Sequence, residues 1–411
     1  MIGVREALGR VLENLPRTGS EQVPLTAARG RALSAPVEAP HDVPPFRNSA
    51  MDGFAVRSAD VQGATPSAPL RLRVLETIGA GAVPTQPVTP GTATRIMTGA
   101  PVPEGADAVV RVEDTAALDG DVAIQVGVAA GVNVREPGED VHAGDAVLEP
   151  GRLLRPADIG VIASLGMAMV RVARRPRVAI VATGDELVDV GERLGPGQIV
   201  NSNAYALGAA VEEAGAEPII IGIVRDRPEV IRTAFAQGVT ADVLLSTGGV
   251  SVGSFDYVRE ILAGLGYQER FWKVAQKPGK PLTFGHCDGT PVFGLPGNPV
   301  SSLVCFYLYV LPALRTMMDL ERVYLPTTTA TLAETIKKPA GLTEFVRCTL
   351  AGTSDDYRAR STGTQSSGVM RSMSVGDGLI VGPPDVTALH SGERVRVVLL
   401  APDAAVAAPP F

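Results

Sequence analysis

Apolar and polar positions follow different patterns in successive parts of this chain. Near the start, apolar side chains recur at helical spacing, at Val4, Leu8, Val11, Leu12 and Leu15. From about 41 to 141, short runs rich in Val, Thr and Ile alternate with Gly and Pro, as in Leu70–Ile78 and Thr92–Met97, which predicts a β-rich module. A second helical pattern covers Ala157–Leu165. We therefore expect the module to be inserted into a helical linking region.

From about residue 176, strand-like runs alternate with helical segments. The runs are Arg177–Ala182, Pro218–Val224 and Asp242–Leu245, and the helical segments are Ala204–Ala214, Pro228–Gln237 and Phe255–Leu265. This rhythm predicts a doubly wound, mostly parallel α/β sheet with helices on both faces. A long apolar helix is expected to follow, with Asn298 as its N-cap and Pro299 as its first residue.

The last part of the chain turns β-like again from about residue 326. Arg394–Leu400 alternates over its first half, as an outer strand would, which predicts a C-terminal β-barrel or sandwich. A chain of 411 residues also exceeds the usual size of a single core. From this length we expect two to four domains. The patterns predict an α/β plus β protein whose segments have bounds at 1–40 plus 142–175, 41–141, 176–325 and 326–411.

Composition narrows the class of protein. The chain is 45% hydrophobic and 20% charged, as in a water-soluble globular protein, and its 45 Gly and 33 Pro follow no repeat, which excludes a collagen-like chain. A net charge of −7 argues against non-specific nucleic-acid binding. Three separated cysteines indicate neither a disulfide framework nor a zinc site and favour a reduced, cytoplasmic setting. No signal peptide is expected, and the apolar segment Pro299–Leu314 is short for a membrane span.

Three turns rich in Gly and Pro each follow a strand-like run. They are Ser246–Gly253, Lys277–Pro281 and Leu295–Ser301, and the runs are Val243–Leu245, Phe271–Ala275 and Pro291–Leu295. Open α/β sheets bind ligands at the ends of their strands. Glycine lets backbone N–H groups approach an anion, and lysine adds positive charge. The three turns together predict a site for a phosphorylated or oxyanion ligand.

Carboxylates are expected at the same edge of the sheet. Asp185 and Glu186 follow the first strand, Asp226 follows the second, and Asp256 follows the glycine-rich turn. Mg²⁺ binds through a few carboxylates together with ligand phosphates, so this set fits metal-assisted chemistry on a phosphoanhydride. The alternative interpretation is a set of solvated turns.

Other motifs leave two interpretations open. Asp52 is either presented to a metal or substrate or part of an ordinary Asp-Gly turn. Thr98 lies beside a bound anion or in an ordinary turn, and Asp140 alone reads as surface charge. Lys277 and Lys280 point into one pocket or into solvent. Ser301 lies where a helix N-terminus favours anions, or only helps to cap that helix.

Taken in order, these motifs resemble the molybdopterin molybdenumtransferases, the family of bacterial MoeA and the gephyrin E domain. The resemblance spans essentially the whole chain, through Pro44–Arg57, Ile96–Gly105, Gly138–Asp140, Thr183–Leu187, Gly248–Asp256, Lys277–Pro281, Leu295–Ser301 and Gln365–Ser367. It implies a Mg²⁺-dependent enzyme that inserts molybdate into adenylylated molybdopterin and releases AMP. It also implies four domains and a homodimer with a composite active site, and it allows the molybdopterin adenylyltransferase as a partner.

The resemblance also implies roles for individual residues. Catalytic roles fall to Asp52, Thr98, Glu186, Asp226, Asp256, Lys277 and Lys280. Mg²⁺ would be held by Asp140, Glu186, Asp226 and Asp256. Pterin phosphate or oxyanion would contact Gly248, Gly249, Ser251, Gly253, Pro296, Pro299, Ser301, Arg347 and Ser367.

Two other functions compete with this one. A molybdopterin adenylyltransferase would resemble residues 176–325, but it would need neither the inserted module nor the C-terminal domain. A non-catalytic scaffold or regulatory paralogue would bind the pterin without turnover. The presence of Asp52, Glu186, Asp226 and Asp256 argues for catalysis.

Overall fold

A computed structural model describes residues 1–248, 255–353 and 356–400, with the backbone alone for residues 255–257 and 259. The first segment contains helix α1 (Val4–Leu12) and strands β1 (Ser20–Pro24) and β2 (Val37–Glu38). Ala7 and Val11, on the buried face of α1, belong to the core of the central domain.

The inserted module is built around a six-stranded sheet. Its elements are β3 (Asn48–Ser49), β4 (Gly53–Val56), α2 (Ser58–Val61), β5 (Leu70–Ile78), β6 (Thr92–Ile96), β7 (Ala108–Arg111), β8 (Thr115–Leu118), β9 (Asp121–Ile124) and β10 (Val134–Arg135). The strand order is β7-β4-β6-β5-β9-β8, and β10 pairs separately with β3. The two strand-like runs predicted here, Leu70–Ile78 and Thr92–Met97, form β5 and β6.

Strands, as well as a helix, join the chain segments on either side of the module. After the module come β11 (Ala146–Leu148), α3 (Pro156–Ser164) and β12 (Met169–Ala173), and β12 and β11 pair antiparallel with β1 and β2. The expectation of a helical linking region was therefore wrong in part. Its strands are short, and its other predicted helix, α1, packs on the central domain. The four domain bounds stay a prediction.

The central domain has a six-stranded sheet with helices on both faces. Its elements are β13 (Arg177–Thr183), β14 (Leu187–Val188), β15 (Ile199–Val200), α4 (Ser202–Glu213), β16 (Glu217–Val224), α5 (Pro228–Gly238), β17 (Val243–Thr247), α6 (Phe255–Ala263), β18 (Tyr267–Trp272), β19 (Gln276–Lys277), β20 (Thr283–Cys287), β21 (Thr290–Leu295), α7 (Pro299–Cys305) and α8 (Leu311–Met317). One core contains residues of α4, α7 and α8, and the other contains residues of α5 and α6.

The sheet order is β16-β13-β17-β21-β20-β18. The first four strands are parallel, whereas β20 is antiparallel to β21 and β18 is antiparallel to β20. The sheet is thus mixed, with a parallel part that matches the prediction. The strand predicted at Phe271–Ala275 ends at Trp272, because Lys273 adopts a left-handed conformation with φ of 67°.

One helix in the described part of the chain is long and apolar enough to span a membrane. It runs over Pro299–Met317, through α7, a π-helical turn at Phe306–Val310 and α8, and 18 of its residues have a mean hydropathy of 1.4. Of these residues, 78% are buried inside the protein. The helix is therefore a core element of the central domain.

The C-terminal part forms a closed barrel of five strands. Its elements are β22 (Thr327–Leu332), β23 (Ile336–Lys337), β24 (Thr343–Ala351), β25 (Arg358–Ser361), α9 (Arg371–Ser374), β26 (Gly378–Gly382), β27 (Ala388–Leu389) and β28 (Arg394–Leu399). The order β24-β25-β22-β28-β26 closes through a β24–β26 pairing, and β19 of the central domain adds to β24. The predicted C-terminal barrel is confirmed.

The packing of α8 yields a stability prediction. Leu314 is fully buried in the core shared by α1 and the central sheet. We expect Leu314→Ala to lower the free energy of unfolding by about 2–5 kcal/mol, because it leaves a cavity in a packed core. Leu118→Ala, on a strand where the leucine is exposed, is expected to change it by less than about 0.5 kcal/mol. Urea denaturation measures both values, and equal losses would contradict this packing.

Candidate active site

A cavity of about 690 Å³ opens where the parallel strands of the central sheet end. We call it the strand-edge cavity. Each of the four parallel strands contributes to its lining where it ends: Thr183, Gly184, Glu186 and Leu187 at the end of β13, Asp226 after β16, Thr247 and Gly248 at the end of β17, and Pro296–Pro299 after β21. Pro281 of the central domain and Gly368 of the C-terminal domain complete one side of the cavity. The shared direction of the four parallel strands brings together the segments that follow them.

The floor of the cavity is a network of small polar groups. The Asn203 side chain donates to Thr247 Oγ1 at 2.8 Å and to the Gly297 carbonyl at 2.7 Å. Ser302 Oγ donates to the Pro296 carbonyl at 2.7 Å. Thr183 is buried at the end of β13, and its hydroxyl makes no hydrogen bond with another described residue. A buried polar atom that lines a cavity and has no partner indicates a place for a polar ligand atom.

Two glycines keep the backbones around the floor close together. Gly248 has φ of 88°, and a Cβ there would lie 2.4 Å from the Thr183 carbonyl oxygen. At Gly184, a Cβ would lie 2.5 Å from the Glu186 carboxylate. The contact at Gly248 is with backbone that cannot move away, so this turn requires glycine. At Gly184 the Glu186 side chain could move, and it is the φ of 152° that favours glycine.

Carboxylates occupy one side of the cavity. The Asp226 N–H donates to Asp185 Oδ1 at 3.2 Å, and the Arg225 guanidinium holds the same loop by donating to the Asp185 carbonyl at 2.7 Å. Partial burial raises the pKa of Asp226, and the negative charges of Asp185 and Glu186 raise that pKa further. Such mutual repulsion is relieved by a bound cation.

Two helices begin at the opposite side of the cavity. The residues that start α4, Asn201–Asn203, and those that start α7, Asn298 and Pro299, all line it. The Asn201 side chain caps α4 by accepting from the Ala204 N–H at 3.3 Å. Helix N-termini carry partial positive charge and attract anions. The cavity thus has an acidic side and a side suited to an anion.

Asn298 is the N-cap of α7 by position, as predicted, but its side chain makes no capping hydrogen bond. It donates instead to Ser367 Oγ at 2.9 Å, and the Val300 N–H donates to the Ser367 carbonyl at 3.2 Å. These contacts hold the Ser367–Gly368 segment of the C-terminal domain against the start of α7. Ser301 is buried in the first turn of this helix.

Arg347, predicted to contact the oxyanion, lies in the protein interior and is only 1% exposed. Its guanidinium donates to the Ser366 carbonyl and to Ser372 Oγ, both at 3.1 Å, and its backbone N–H donates to Gln365 Oε1 at 2.9 Å. In this structure Arg347 therefore anchors the segment that precedes Gly368.

The two predicted lysines differ in environment. Lys277 Nζ lies 2.9 Å from Glu344 Oε1, in an ion pair with the C-terminal barrel. Lys280 is exposed and forms no ion pair with any residue that the structure describes. Both belong to a turn that leads into Pro281 of the cavity wall.

The predicted residues of the inserted module lie outside the strand-edge cavity of the same chain. Asp52 and Thr98 adjoin each other, and the Thr98 backbone N–H and hydroxyl both donate to Asp52 Oδ1 at 2.7 Å. These two hydrogen bonds hold the pKa of Asp52 below its usual value. Thr98, expected beside a bound anion, thus orients a carboxylate. Asp140 is exposed.

Four of the predicted site residues lie wholly or partly outside the part of the chain that the structure describes. Gly249, Ser251 and Gly253 lie outside the described residues, as does the side chain of Asp256 on α6. Of the remaining predicted residues, the cavity lining contains Glu186, Asp226, Gly248, Pro296 and Pro299. Within residues 1–248, 255–353 and 356–400, no group of three or more His, Cys, Asp or Glu side chains is arranged as a metal site.

Sequence reasoning missed several cavity residues. No role is predicted for Asn203 from the sequence, and Thr183 and Thr247 enter only within the stretch Thr183–Leu187 and the turn Ser246–Gly253. A signal was present, because each is a polar residue at the carboxyl end of a strand or the start of a helix that meets the same edge.

Fold and site together define an α/β plus β protein with a ligand cavity at the carboxyl edge of its central sheet. Family comparisons match residues 2–166 to the MoeA N-terminal region (domain I and II), 179–316 to a probable molybdopterin binding domain, and 329–400 to the MoeA C-terminal region (domain IV). The chain belongs to the MoeA family of molybdopterin molybdenumtransferases, enzymes of molybdenum cofactor biosynthesis. The resemblance seen in the motifs is thereby confirmed.

Relatives match nearly the whole chain. Molybdopterin molybdenumtransferase 2 of Mycobacterium tuberculosis is 41% identical over 91% of this chain and 94% of its own length. The Bacillus subtilis molybdopterin molybdenumtransferase is 37% identical over 97% and 94%, respectively. A crystal structure of the Pyrococcus horikoshii molybdopterin biosynthesis MoeA protein superposes with a TM-score of 0.84 at 31% identity, covering 97% of this chain and all of that one.

The acidic side of the cavity yields a prediction about protonation. Asp185→Asn removes a negative charge beside Asp226 but keeps an oxygen that can accept the Asp226 N–H. We expect the pKa of Asp226 to fall, so that this carboxyl group ionises at lower pH. Carbon-13 NMR of the aspartate carboxyl groups over a pH series measures the change. An unchanged midpoint would contradict the proposed coupling, and Glu229→Gln, at an exposed residue on α5, is the control.

Proposed function

We propose that this chain inserts molybdenum from molybdate into adenylylated molybdopterin and releases AMP in a Mg²⁺-dependent reaction. The main support is the strand-edge cavity, which faces carboxylates with helix N-termini and glycine-rich turns. An adenylylated pterin carries a phosphoanhydride and molybdate is a dianion, so both need fixed donors and cations where negative charge accumulates. A family match over three separate regions of the chain supports the same assignment.

The carboxylates fit a role in holding Mg²⁺. Asp226 and Glu186 line the cavity, and partial burial and the negative charges of its acidic neighbours disfavour ionisation of Asp226 by raising its pKa. Mg²⁺ is usually bound by one or two carboxylates together with the phosphates of a ligand. We assign Asp226 and Glu186 to this role, with Asp256 and Asp140 as further candidates. The ion would supply charge neutralisation at the phosphoanhydride.

On the opposite side, the cavity offers donors for the anionic parts of the substrates. The starts of α4 and α7, the Gly248 turn, and the turns at Pro296 and Pro299 surround this side. The hydroxyls of Thr183 and Thr247 lie at the floor. We assign these groups to the pterin phosphate and to the oxyanion, with Lys280 and Ser367 at the boundary with the barrel.

We further propose that the active site is completed by a second copy of the chain. Asp52 and Thr98 form an ordered polar pair beside two exposed apolar residues, Phe46 and Met51, which are 44% and 39% exposed. The rim of the strand-edge cavity also exposes apolar side chains, with Ile199 56% exposed. Apolar exposure around polar groups is typical of an interaction site. A homodimer would bring the Asp52–Thr98 pair of one copy to the cavity of the other.

The setting that we propose for this enzyme is the cytoplasm. Cys287, Cys305 and Cys348 are all buried free thiols, which suits a reducing compartment. The enzyme that adenylylates molybdopterin makes the substrate, so it is the natural protein partner.

The reaction itself can be tested directly. With adenylylated molybdopterin, molybdate and Mg²⁺, we expect AMP release that depends on molybdate and is lost with EDTA. Asp226→Ala should reduce the rate by roughly a hundredfold or more, because it removes a charged group from the reacting centre. Glu229→Ala, at an exposed site on α5, is the matched control. Tight pterin binding without AMP release would favour a scaffold, and ATP-dependent adenylylation of molybdopterin would favour an adenylyltransferase.

A composite site predicts complementation between two inactive variants. Asp52→Asn and Asp226→Asn each damage every site of their own homodimers. In a mixture of the two, each heterodimer has one intact site, so activity should return to about a quarter of the wild-type value if subunits exchange freely. The control is the double variant Asp52→Asn/Asp226→Asn, whose dimers contain no intact site. No activity in the mixture, with exchange verified by mass spectrometry, would show that both residues act within one chain.

A further inference from the structure

The turn at Lys277–Pro281 joins the central domain to the C-terminal barrel. Strand β19, which contains Lys277, pairs in parallel with β24, and Lys277 lies beside Glu344 in this register. The Thr343 N–H also donates to the Ala275 carbonyl at 2.9 Å. The turn that is expected to supply cations to the oxyanion is therefore fixed to a second domain.

The base of the turn is held from the other side by a buried polar network. Gln276 is fully buried, and its amide donates to the Pro278 carbonyl at 3.0 Å. The Tyr309 hydroxyl, from the π-helical turn of the core helix, donates to the side-chain oxygen Oε1 of Gln276. Buried networks of this kind fix one conformation, because each unmade hydrogen bond would be costly.

Glu344 is an unusual group to find at such a joint. Its side chain is only 6% exposed, whereas that of Lys277 is 49% exposed. Oε1 is paired with Lys277 at 2.9 Å, but Oε2 is buried and makes no hydrogen bond with another described residue. In the described part of the chain, Lys277 is the one cation within ion-pair distance of this carboxylate. The Arg347 guanidinium also interacts electrostatically with Glu344, but from beyond ion-pair distance. Loss of Lys277 would therefore leave a buried carboxylate without an ion-pair partner, which is destabilising.

We infer that Lys277 and Glu344 form a charge-compensated joint that positions the turn, so that of its two lysines only Lys280 keeps the oxyanion role proposed above. The identity of the ligand rests on the proposed function. If an incoming dianion drew Lys277 away, the buried carboxylate of Glu344 would lose its ion-pair partner. Lys280 has no ion-pair partner among the described residues, so its charge is available. Lys277 and Glu344 are then positioning residues.

The joint is tested by a stability comparison. Lys277→Met in the full chain should lower the midpoint of thermal unfolding by several degrees. The same substitution should have little effect in a Glu344→Gln background, because no buried charge is left unpaired. Lys277→Arg, which keeps a cation beside Glu344, should restore the midpoint. Equal losses in both backgrounds would overturn the joint.

The division of roles is tested by binding of inorganic molybdate, measured by isothermal titration with Mg²⁺ present. Lys280→Met should weaken binding by about tenfold or more. Lys277→Met combined with Glu344→Gln should bind within about threefold of the parent, since the turn keeps its shape and Lys280. An equal loss in the combined variant would overturn the assignment and make Lys277 a direct ligand.

Failure of this inference can be told apart from failure of the proposed function. A parent protein that releases AMP with molybdate, but whose Lys280→Met variant binds molybdate normally, overturns the inference alone. A parent that neither binds molybdate nor releases AMP overturns the proposed function together with the role of Lys280. The unfolding comparison still decides whether Lys277 and Glu344 form a joint.

Discussion

Four neighbouring strands of the central sheet run parallel, and the rest of the site depends on this constraint. Parallel strands end at the same edge, so Thr183, Val224, Thr247 and Leu295 all finish where the cavity opens. Each return to the next strand needs a crossover, and α4 begins at that edge for this reason. The helix N-termini and the strand-end loops therefore meet at one place without any contact between distant residues being required.

Charge is distributed unequally around this edge. The loops after β13 and β16 carry Asp185, Glu186 and Asp226, whereas the loops after β17 and β21 carry glycine and proline and lead into helix starts. One side thus attracts a cation and the other attracts an anion. A substrate that contains both a phosphoanhydride with its metal and an oxyanion matches this division, which is the physical basis of the proposed reaction.

The C-terminal barrel takes part in the site through few contacts. Asn298 bonds to Ser367, and Lys277 pairs with Glu344, so both turns that border the anion side are fastened to the barrel. Arg347 contributes from within the barrel by holding the Ser366 carbonyl. The geometry of the cavity is therefore set by two domains, although most of its lining comes from one.

Much of this architecture could be predicted from the sequence. The strands expected at Arg177–Ala182 and Pro291–Leu295 form at Arg177–Thr183 and Thr290–Leu295, because their apolar pattern reflects local burial. Contacts such as Asn203 with Gly297, 94 residues apart, could not be predicted, since periodicity does not identify partners in space. The pairing of β1 with β12 was missed for the same reason. The burial of Arg347 and of the Glu344 carboxylate likewise depends on how the barrel packs.

The central claim is that molybdenum is inserted at the strand-edge cavity. Anomalous diffraction at the molybdenum absorption edge, from crystals soaked with molybdate and adenylylated molybdopterin, locates the metal directly. The account predicts an anomalous peak at the anion side of the cavity, near Lys280, Ser367 and the turn at Pro296–Pro299. A peak beside the Asp185, Glu186 and Asp226 carboxylates, or at a site away from the cavity, would contradict it.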